Sequence, residues 1–346
     1  MCGIIARTGD GEAIDELLTG LKNLEYRGYD SAGVAIPNAD GIQIQKREGE
    51  VDELVDAIDE SATVGQTGIG HTRWSTHGPP TDANAHPHTD CAGSVAVVHN
   101  GIIDNHDALR DELLEDGHEF TSETDTEVVP HLIERALADG ADPESAFRRA
   151  VGRLQGSYAL VATVQGTDAL YATRHGSPLV LGVDSGRHFL ASDVPAFLEY
   201  TDDVVYLEDD DVVVLEADGY TIYDGDGNRQ DPTVETIEWS PEDAEKGRYD
   251  HFMFKEINEQ PWALGQTLSD RFEADGSLDL DVDADRYGDV DHVHFVACGT
   301  SYHAGLQGTH LLRTTDVPST THRASEFVAN PPPLDQNSLV VGVTQS

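Results

Sequence analysis

The chain has 346 residues, 38% of them hydrophobic, with 65 acidic against 21 basic side chains and a formal net charge of −44. That length supports two domains with buried cores. A surface this negative repels phosphate backbones and anionic lipid, which excludes nucleic acid and membrane as partners. The acid is spread along the whole chain, so self-repulsion weakens the compact state unless salt screens it, and a salt-rich cytoplasm is expected.

The chain opens MCGIIART, a strand pattern with a cysteine directly behind the initiator methionine. A small second residue permits removal of that methionine, which would make Cys2 the amino terminus. The other cysteines, Cys91 and Cys298, lie far away. Three such positions build neither a disulfide framework nor a CxxC knuckle, and they fit a reducing cytoplasm. No basic and apolar leader precedes the first glycines, and no apolar run approaches the ~18 residues of a membrane span.

Helical periodicity follows in EAIDELLTGLKNLEY, and later in NHDALRDELLEDG and TEVVPHLIERALADG. Strand patterns occupy SAGVAIP, TGIGHTR, SVAVVHNGIID, YALVATV, ALYATR, PLVLGV, HFLASD, VVYLEDDDVVVL and YTIYD. So many strands with short links predict stacked, largely antiparallel sheets covered by helices. GNRQDPTVETIEWSPEDAEKG is polar with two prolines and reads as a linker. Beyond it, DHVHFVACGTSYHAGLQGTHLL runs from an apolar strand through a small polar loop into a helix, the arrangement of an anion site. NSLVVGVTQS begins a second copy. Parallel strands need crossovers and covered edges, so the chain is expected to be a piece of a longer protein.

HTRWSTHG, NAHPH, HNGII and SETDTE gather reactive side chains between the regular elements. Each has a plain structural reading beside a chemical one. Asn100-Gly101 between apolar runs is a type I′ hairpin signal. Ser122 to Asp125 before a helix resembles an N-cap with acids matched to the helix dipole. Arg73 beside Trp74 reads as a surface stack. His71, His77, His86, His88, Cys91 and His99 fall close together and raise zinc as a rival, but only His86 and His88 are tightly spaced. Hydrogen bonding in a polar pocket is the preferred reading, with no metal and no cofactor.

Together, in this order, MCGI, LEYRGYDSAG, HTRWSTHG, NAHPH, VVHNGIIDNH and SETDTE resemble the glutaminase domain of the class II glutamine amidotransferases. The resemblance implies an α+β chain: a four-layer αββα N-terminal-nucleophile hydrolase domain over residues 2–220, then a linker over 221–284. Residues 285–346 would open an α/β sugar-isomerase (SIS) domain. LEYRGYDSAG, FMFKEINEQP and FVACGTSYHAG are similar to the branch of the class that aminates fructose 6-phosphate and dimerises through its synthase half.

The implied nucleophile is Cys2. Its own α-amine, of pKa about 7.7–8.0, would take the proton of a thiol of pKa about 8.5. The implied oxyanion donors are the Asn100 side chain and the Gly101 backbone N–H. Glutamine is a zwitterion, so Arg73 would hold its carboxylate and Asp125 its ammonium, with neutral hydrogen bonds from Thr76 and His77. Arg27 would orient the nucleophile, and Trp74 would gate the exit of ammonia. Gly299, Thr300 and Ser301 would form one sugar-phosphate loop, and Thr344, Gln345 and Ser346 would start a second. Two alternatives stay open: another class II amidotransferase or free-standing glutaminase, and a non-catalytic sensor of the same fold.

Overall fold

A computed structural model describes residues 2–38, 41–59, 63–75, 78–237, 290–315 and 317–344, with isolated positions between 254 and 265. The chain divides into two compact units, Met1–Arg248 and Tyr249–Ser346.

In the first unit, β1 (Gly3–Gly9), β2 (Ser31–Asn38), β3 (Gly41–Glu48), β4 (Gly68–Arg73), β9 (Val180–Asp184), β10 (Arg187–Ala191), β11 (Asp203–Tyr206) and β14 (Glu235–Thr236) form one sheet, in the order β14-β11-β9-β10-β1-β4-β2-β3. A second sheet runs β13-β12-β8-β7-β6-β5. It uses β5 (His88–Thr89), β6 (Val95–Ile103), β7 (Gly156–Val164), β8 (Leu170–His175), β12 (Val212–Glu216) and β13 (Gly219–Tyr223). Neighbouring strands in both sheets pair antiparallel.

Strand alternation sorts the apolar residues into three cores. Ile4 and Ala6 of β1 join Ala96 and Val98 of β6 and Ala159 and Val161 of β7 between the two sheets. The intervening residues turn outward. Ile5, with Val34 and Phe189, packs under α1 (Ala13–Asn23) and α2 (Val51–Ala57). Val97, Leu160 and Tyr171 pack under α3 (His106–Glu115), α4 (Val128–Ala138) and α5 (Pro143–Val151). Each face of each sheet is therefore dry, and the layers stack helix, sheet, sheet, helix. This is the αββα order implied by the motifs.

Three local expectations give way. VVYLEDDDVVVL is two strands in different sheets, because β11 pairs with β9 and β12 with β8. Asn100-Gly101 is no hairpin turn: the pairing of β6 with β7 continues through Asn100↔Ala159 and Gly101↔Tyr158 to Ile103↔Gly156. Gly101 instead kinks the strand at φ +123°, where a Cβ would stand 2.0 Å from the Ser157 carbonyl oxygen. Finally, Ser122–Asp125 does not cap α4, whose cap residue is Glu127. The Glu127 carboxylate accepts hydrogen bonds from the backbone N–H and hydroxyl groups of both Thr121 and Ser122, and so shapes that loop instead.

The segment read as a linker contributes β14 to the edge of the first sheet, and position 220 falls within β13. In the second unit, β15 (His292–Ala297) lies between β16 (Ser319–Arg323) and β17 (Ser338–Val343), all parallel, with helix Gly299–Leu312 in the crossover from β15 to β16. Among the described residues no helix is long and apolar enough to cross a membrane.

Candidate active site

The register places the site. Gly3 pairs with Thr72, so Cys2 directly precedes β1 beside the end of β4, where Arg73 closes the strand and Trp74 leaves the sheet. The inter-sheet core brings β6 against this point. Cys2, Arg73, Trp74, Gly101 and Asp125 line one pocket together with His86, His99, Thr124 and Thr126.

Cys2 is held through both its sulfur and its carbonyl. The Trp74 backbone N–H donates to Sγ at 3.3 Å. The Cys2 carbonyl oxygen accepts Arg27 Nε at 3.0 Å and Asn100 Nδ2 at 3.0 Å. Burial pushes the Cys2 thiol above its ordinary value, while the Trp74 N–H and the positive charge of Arg73 pull the other way. A thiol so placed needs a base beside it to become a nucleophile.

The loop 26–30 braces this corner. Gly28 is required there because a Cβ would lie 2.5 Å from the Arg73 carbonyl carbon and 2.6 Å from the Trp74 nitrogen. Asp30 accepts the Ser75 N–H at 2.8 Å, and its own N–H donates to the Arg73 carbonyl at 2.9 Å. Arg27 is anchored by Asp193, whose Oδ2 lies 3.1 Å from Nη1 and also accepts the Tyr26 hydroxyl at 2.5 Å. Burial first, and then the Asp193 charge, raise the Tyr26 phenol above its usual value, so it stays a donor.

Asn100 owes its orientation to His71. His71 Nε2 lies 3.0 Å from the His99 carbonyl oxygen and 3.1 Å from Asn100 Oδ1. Both partners are acceptors, so Nε2 carries the proton, and the Asn100 amide is fixed with Nδ2 toward Cys2. The ring stacks on His86 at 4.1 Å, and burial holds His71 neutral, its pKa pushed down to about 3. His86 and His88 are likewise held well below the ordinary range by burial. His88 Nε2 lies 3.0 Å from Thr124 Oγ1, and His99 Nδ1 lies 2.8 Å from Thr126 Oγ1. The histidines thus form a hydrogen-bonding lattice behind the pocket, held neutral at His71, His86 and His88.

Asp125 is buried, and its Oδ2 accepts the Ile103 N–H at 2.8 Å. Arg73 is buried too, with Nη1 and Nη2 on the carbonyls of Pro79 and Gly78 at 3.3 and 3.4 Å. Burial lowers the guanidinium from its ordinary value, opposed by the charges of Cys2 and Asp125. Trp74 is exposed, with Tyr29 edge-on at 5.4 Å. Thr76 and His77 lie outside the described residues.

In the second unit the Gly299, Thr300 and Ser301 run opens its helix, with Gly299 at φ +55°. The pairing Ala297↔Val343 puts Thr344 at the same end of the sheet. Gln345 and Ser346 lie outside the described residues.

Residues 71–199 match the family described as the glutamine amidotransferase domain. The whole chain aligns with glutamine--fructose-6-phosphate aminotransferase [isomerizing] of Halobacterium salinarum at 48% identity. The protein of that name from Streptomyces coelicolor is also 48% identical, and both alignments cover 100% of this chain and 57% of the relative. Along its whole length the chain is similar to proteins named glutamine--fructose-6-phosphate aminotransferase [isomerizing]. It spans 57% of the length of these curated relatives.

Among solved structures, the glutamine phosphoribosylpyrophosphate amidotransferase of B. subtilis superposes with a TM-score of 0.59 at 21% identity, over 92% of this chain and 65% of its own. An allosteric regulatory enzyme of purine biosynthesis gives a TM-score of 0.57 at 25% identity, over 65% of this chain and 49% of its own. In this chain, Cys2, Arg27, Arg73, Trp74, Asn100, Gly101 and Asp125 gather around one corner of the first unit. The sequence reading missed His71 as the group that aims Asn100, Asp193 as the anchor of Arg27, and Glu127 as the organiser of the Asp125 loop. His71 stands inside a quoted motif, whereas Asp193 had no local signal, being 166 residues from its partner.

Proposed function

We propose that the first unit hydrolyses glutamine to glutamate and ammonia, with Cys2 as nucleophile. The observation that carries this reading is the seat of Cys2. Its sulfur touches the Trp74 N–H, Asn100 grips its carbonyl, and Gly101, Arg73 and Asp125 line the same pocket. After removal of Met1, the Cys2 amine takes the thiol proton and the sulfur attacks the side-chain amide carbon of glutamine. The tetrahedral oxyanion collapses to a γ-glutamyl thioester as the protonated nitrogen leaves as ammonia. Water then adds, the C–S bond breaks, and glutamate departs with the thiol restored.

Asn100 Nδ2 carries two protons, of which the Cys2 carbonyl takes one, and the other is assigned to the oxyanion beside the Gly101 N–H. Arg73 binds the substrate carboxylate and Asp125 its ammonium. Thr76 and His77 add neutral hydrogen bonds, Arg27 positions Cys2, and Trp74 gates the ammonia path.

In the full-length relatives' setting, that ammonia is assigned to fructose 6-phosphate, giving glucosamine 6-phosphate in a cytoplasmic homodimer joined through the synthase half. Residues 2–220 would be the glutaminase, 221–284 a linker, and 285–346 sugar-isomerase material. Gly299, Thr300 and Ser301, with Thr344, Gln345 and Ser346, would face the sugar phosphate. Two assays on one sample test the reading, ammonia from glutamine and amino sugar from fructose 6-phosphate. This chain is expected to release ammonia, to lose that release in Cys2→Ala, and to make no amino sugar. Ammonia release surviving Cys2→Ala, or Met1 still attached in fully active protein by intact mass, would overturn it.

A further inference from the structure

Away from the Cys2 pocket, four side chains from three chain segments converge at the outer edge of the second sheet. Cys91 lies in the turn between β5 and β6, His118 follows α3, and His131 and Glu134 stand one turn apart on α4. Their ligand-type atoms all lie within 4.8 Å of one another. His118 Nδ1 is 2.8 Å from Glu134 Oε2, and His131 Nδ1 is 3.4 Å from the same oxygen. Cys91 Sγ stands 3.7 Å from both Nδ1 atoms.

The geometry points to a tetrahedral zinc site formed by Cys91, His118, His131 and Glu134. With Zn–S near 2.3 Å and Zn–N and Zn–O near 2.0–2.1 Å, the edges of a tetrahedral shell are about 3.6 Å for S···N and about 3.3 Å for N···O. The observed edges of 3.7, 3.7, 3.4 and 2.8 Å differ from those by a few tenths of an ångström. An ion pair between Glu134 and the two rings accounts for the short edges alone. It does not account for a sulfur equidistant from both ring nitrogens.

Thiolate with imidazole and a single carboxylate selects zinc over magnesium or calcium, which favour all-oxygen shells. The neighbours of the ligands fit as well. The Glu119 backbone N–H donates to Cys91 Sγ at 3.4 Å, and the Cys91 N–H donates to Glu134 Oε2 at 3.4 Å, so sulfur and carboxylate are both oriented. Burial holds His131 below the ordinary histidine range, which leaves its ring neutral with a lone pair to give. Zinc binding would release the Cys91 thiol proton to solvent, so the site should tighten as pH rises. It would tie the β5–β6 turn and α4 to the segment after α3 that leads to Thr124, Asp125 and Thr126 of the pocket.

The test is zinc itself, added to the full chain and removed from weak acidic surface sites by gel filtration with a mild chelator. Wild type and Cys2→Ala are expected to retain about one zinc per chain, and Cys91→Ser and Glu134→Gln less than about a tenth of that. Cobalt in place of zinc should give a thiolate charge-transfer band that persists in Cys2→Ala and vanishes in Cys91→Ser. Zinc should raise the melting temperature of wild type and leave that of Cys91→Ser unmoved, which also shows that the variant folds. Failure of wild type to retain zinc, or full retention with an unchanged cobalt band in Cys91→Ser, overturns the assignment. These readouts need no glutamine, so they stand whatever the fate of the Cys2 reading.

Discussion

Two histidine clusters sit in one domain and are built for different ends. His71, His86, His88 and His99 pack together in the interior, His71 stacked on His86 at 4.1 Å and His88 edge-on to His86 at 4.6 Å. They hydrogen-bond with carbonyls, hydroxyls, the Asn100 amide and the His99 backbone N–H, and the Asp125 carboxylate lies 4.0 Å from His99. His118 and His131 share a carboxylate and a thiol instead. Neutral acceptors around a dry ring make it a fixed donor that can aim another side chain. An anionic oxygen and a sulfur around two rings make a place for a cation. Density along the sequence grouped His71, His77, His86, His88, Cys91 and His99 as the rival metal site, of which only Cys91 belongs to the second cluster. Facing chemistry, which only the fold brings together, favours the second.

The largest effect should come from the group at which the first cluster is aimed. Asn100→Ala removes the proposed oxyanion donor and is expected to lower kcat for ammonia release by about 10²- to 10³-fold with little change in KM. A loss below tenfold in steady-state kinetics would detach the lattice from catalysis. Next in size is Arg73→Ala, which deletes the charge-assisted contact proposed for the substrate carboxylate. KM should rise by about 10- to 100-fold while kcat falls less. Arg73→Lys should restore part of the binding, since the charge returns without the two-pronged geometry.

His71→Ala leaves Asn100 in place but frees its amide to rotate. One neutral hydrogen bond is worth about 1 kcal/mol, so kcat should fall about fivefold to tenfold. His71→Gln, which keeps an N–H donor, should recover some of the loss. A positioning role predicts that the acid limb of the pH–rate profile stays where it was in both variants, because His71 does not titrate near neutrality. A shifted limb would mean that the ring exchanges protons in the reaction.

Much of this architecture was legible before any coordinates. The strand patterns CGIIART, SVAVVHNGIID and YALVATV announced β1, β6 and β7, and the fold then separates Ile4 and Ala6 from Ile5, and Ala96 and Val98 from Val97, as inter-sheet and helix-facing core. The ordered motifs located Cys2, Arg73, Asn100 and Asp125. Local signals failed where a distant partner outbid them. Asn100-Gly101 has turn chemistry, but β7 continues to pair beyond it, and the glycine kinks the strand instead of reversing it. Ser122 had cap chemistry, but Glu127 engages its hydroxyl and its backbone N–H. VVYLEDDDVVVL carries one strand pattern, yet its halves find partners in separate sheets.

The smallest of these effects concerns stability against pH. In the unfolded chain a histidine binds a proton near pH 6.5, whereas folded His71 does so only near 3. The folded-state value is depressed, so the stability it supports is complete above about pH 6.5. It is lost as pH falls toward the folded value, by at most about 1.4 kcal/mol per pH unit for each such ring. His86 and His88 are shifted the same way and add to the slope. Carboxylates of ordinary pKa, about 3.9–4.3, are still ionised between pH 6.5 and 5.5, so buried histidines should dominate the fall in melting temperature there, with His131, His188 and His294 adding to the lattice. His71→Asn, which has no titrating ring, should give a shallower slope across that interval by calorimetry. An identical slope in variant and wild type would mean that His71 is charged in the folded protein, and the aimed-donor account of Asn100 would then fall with it.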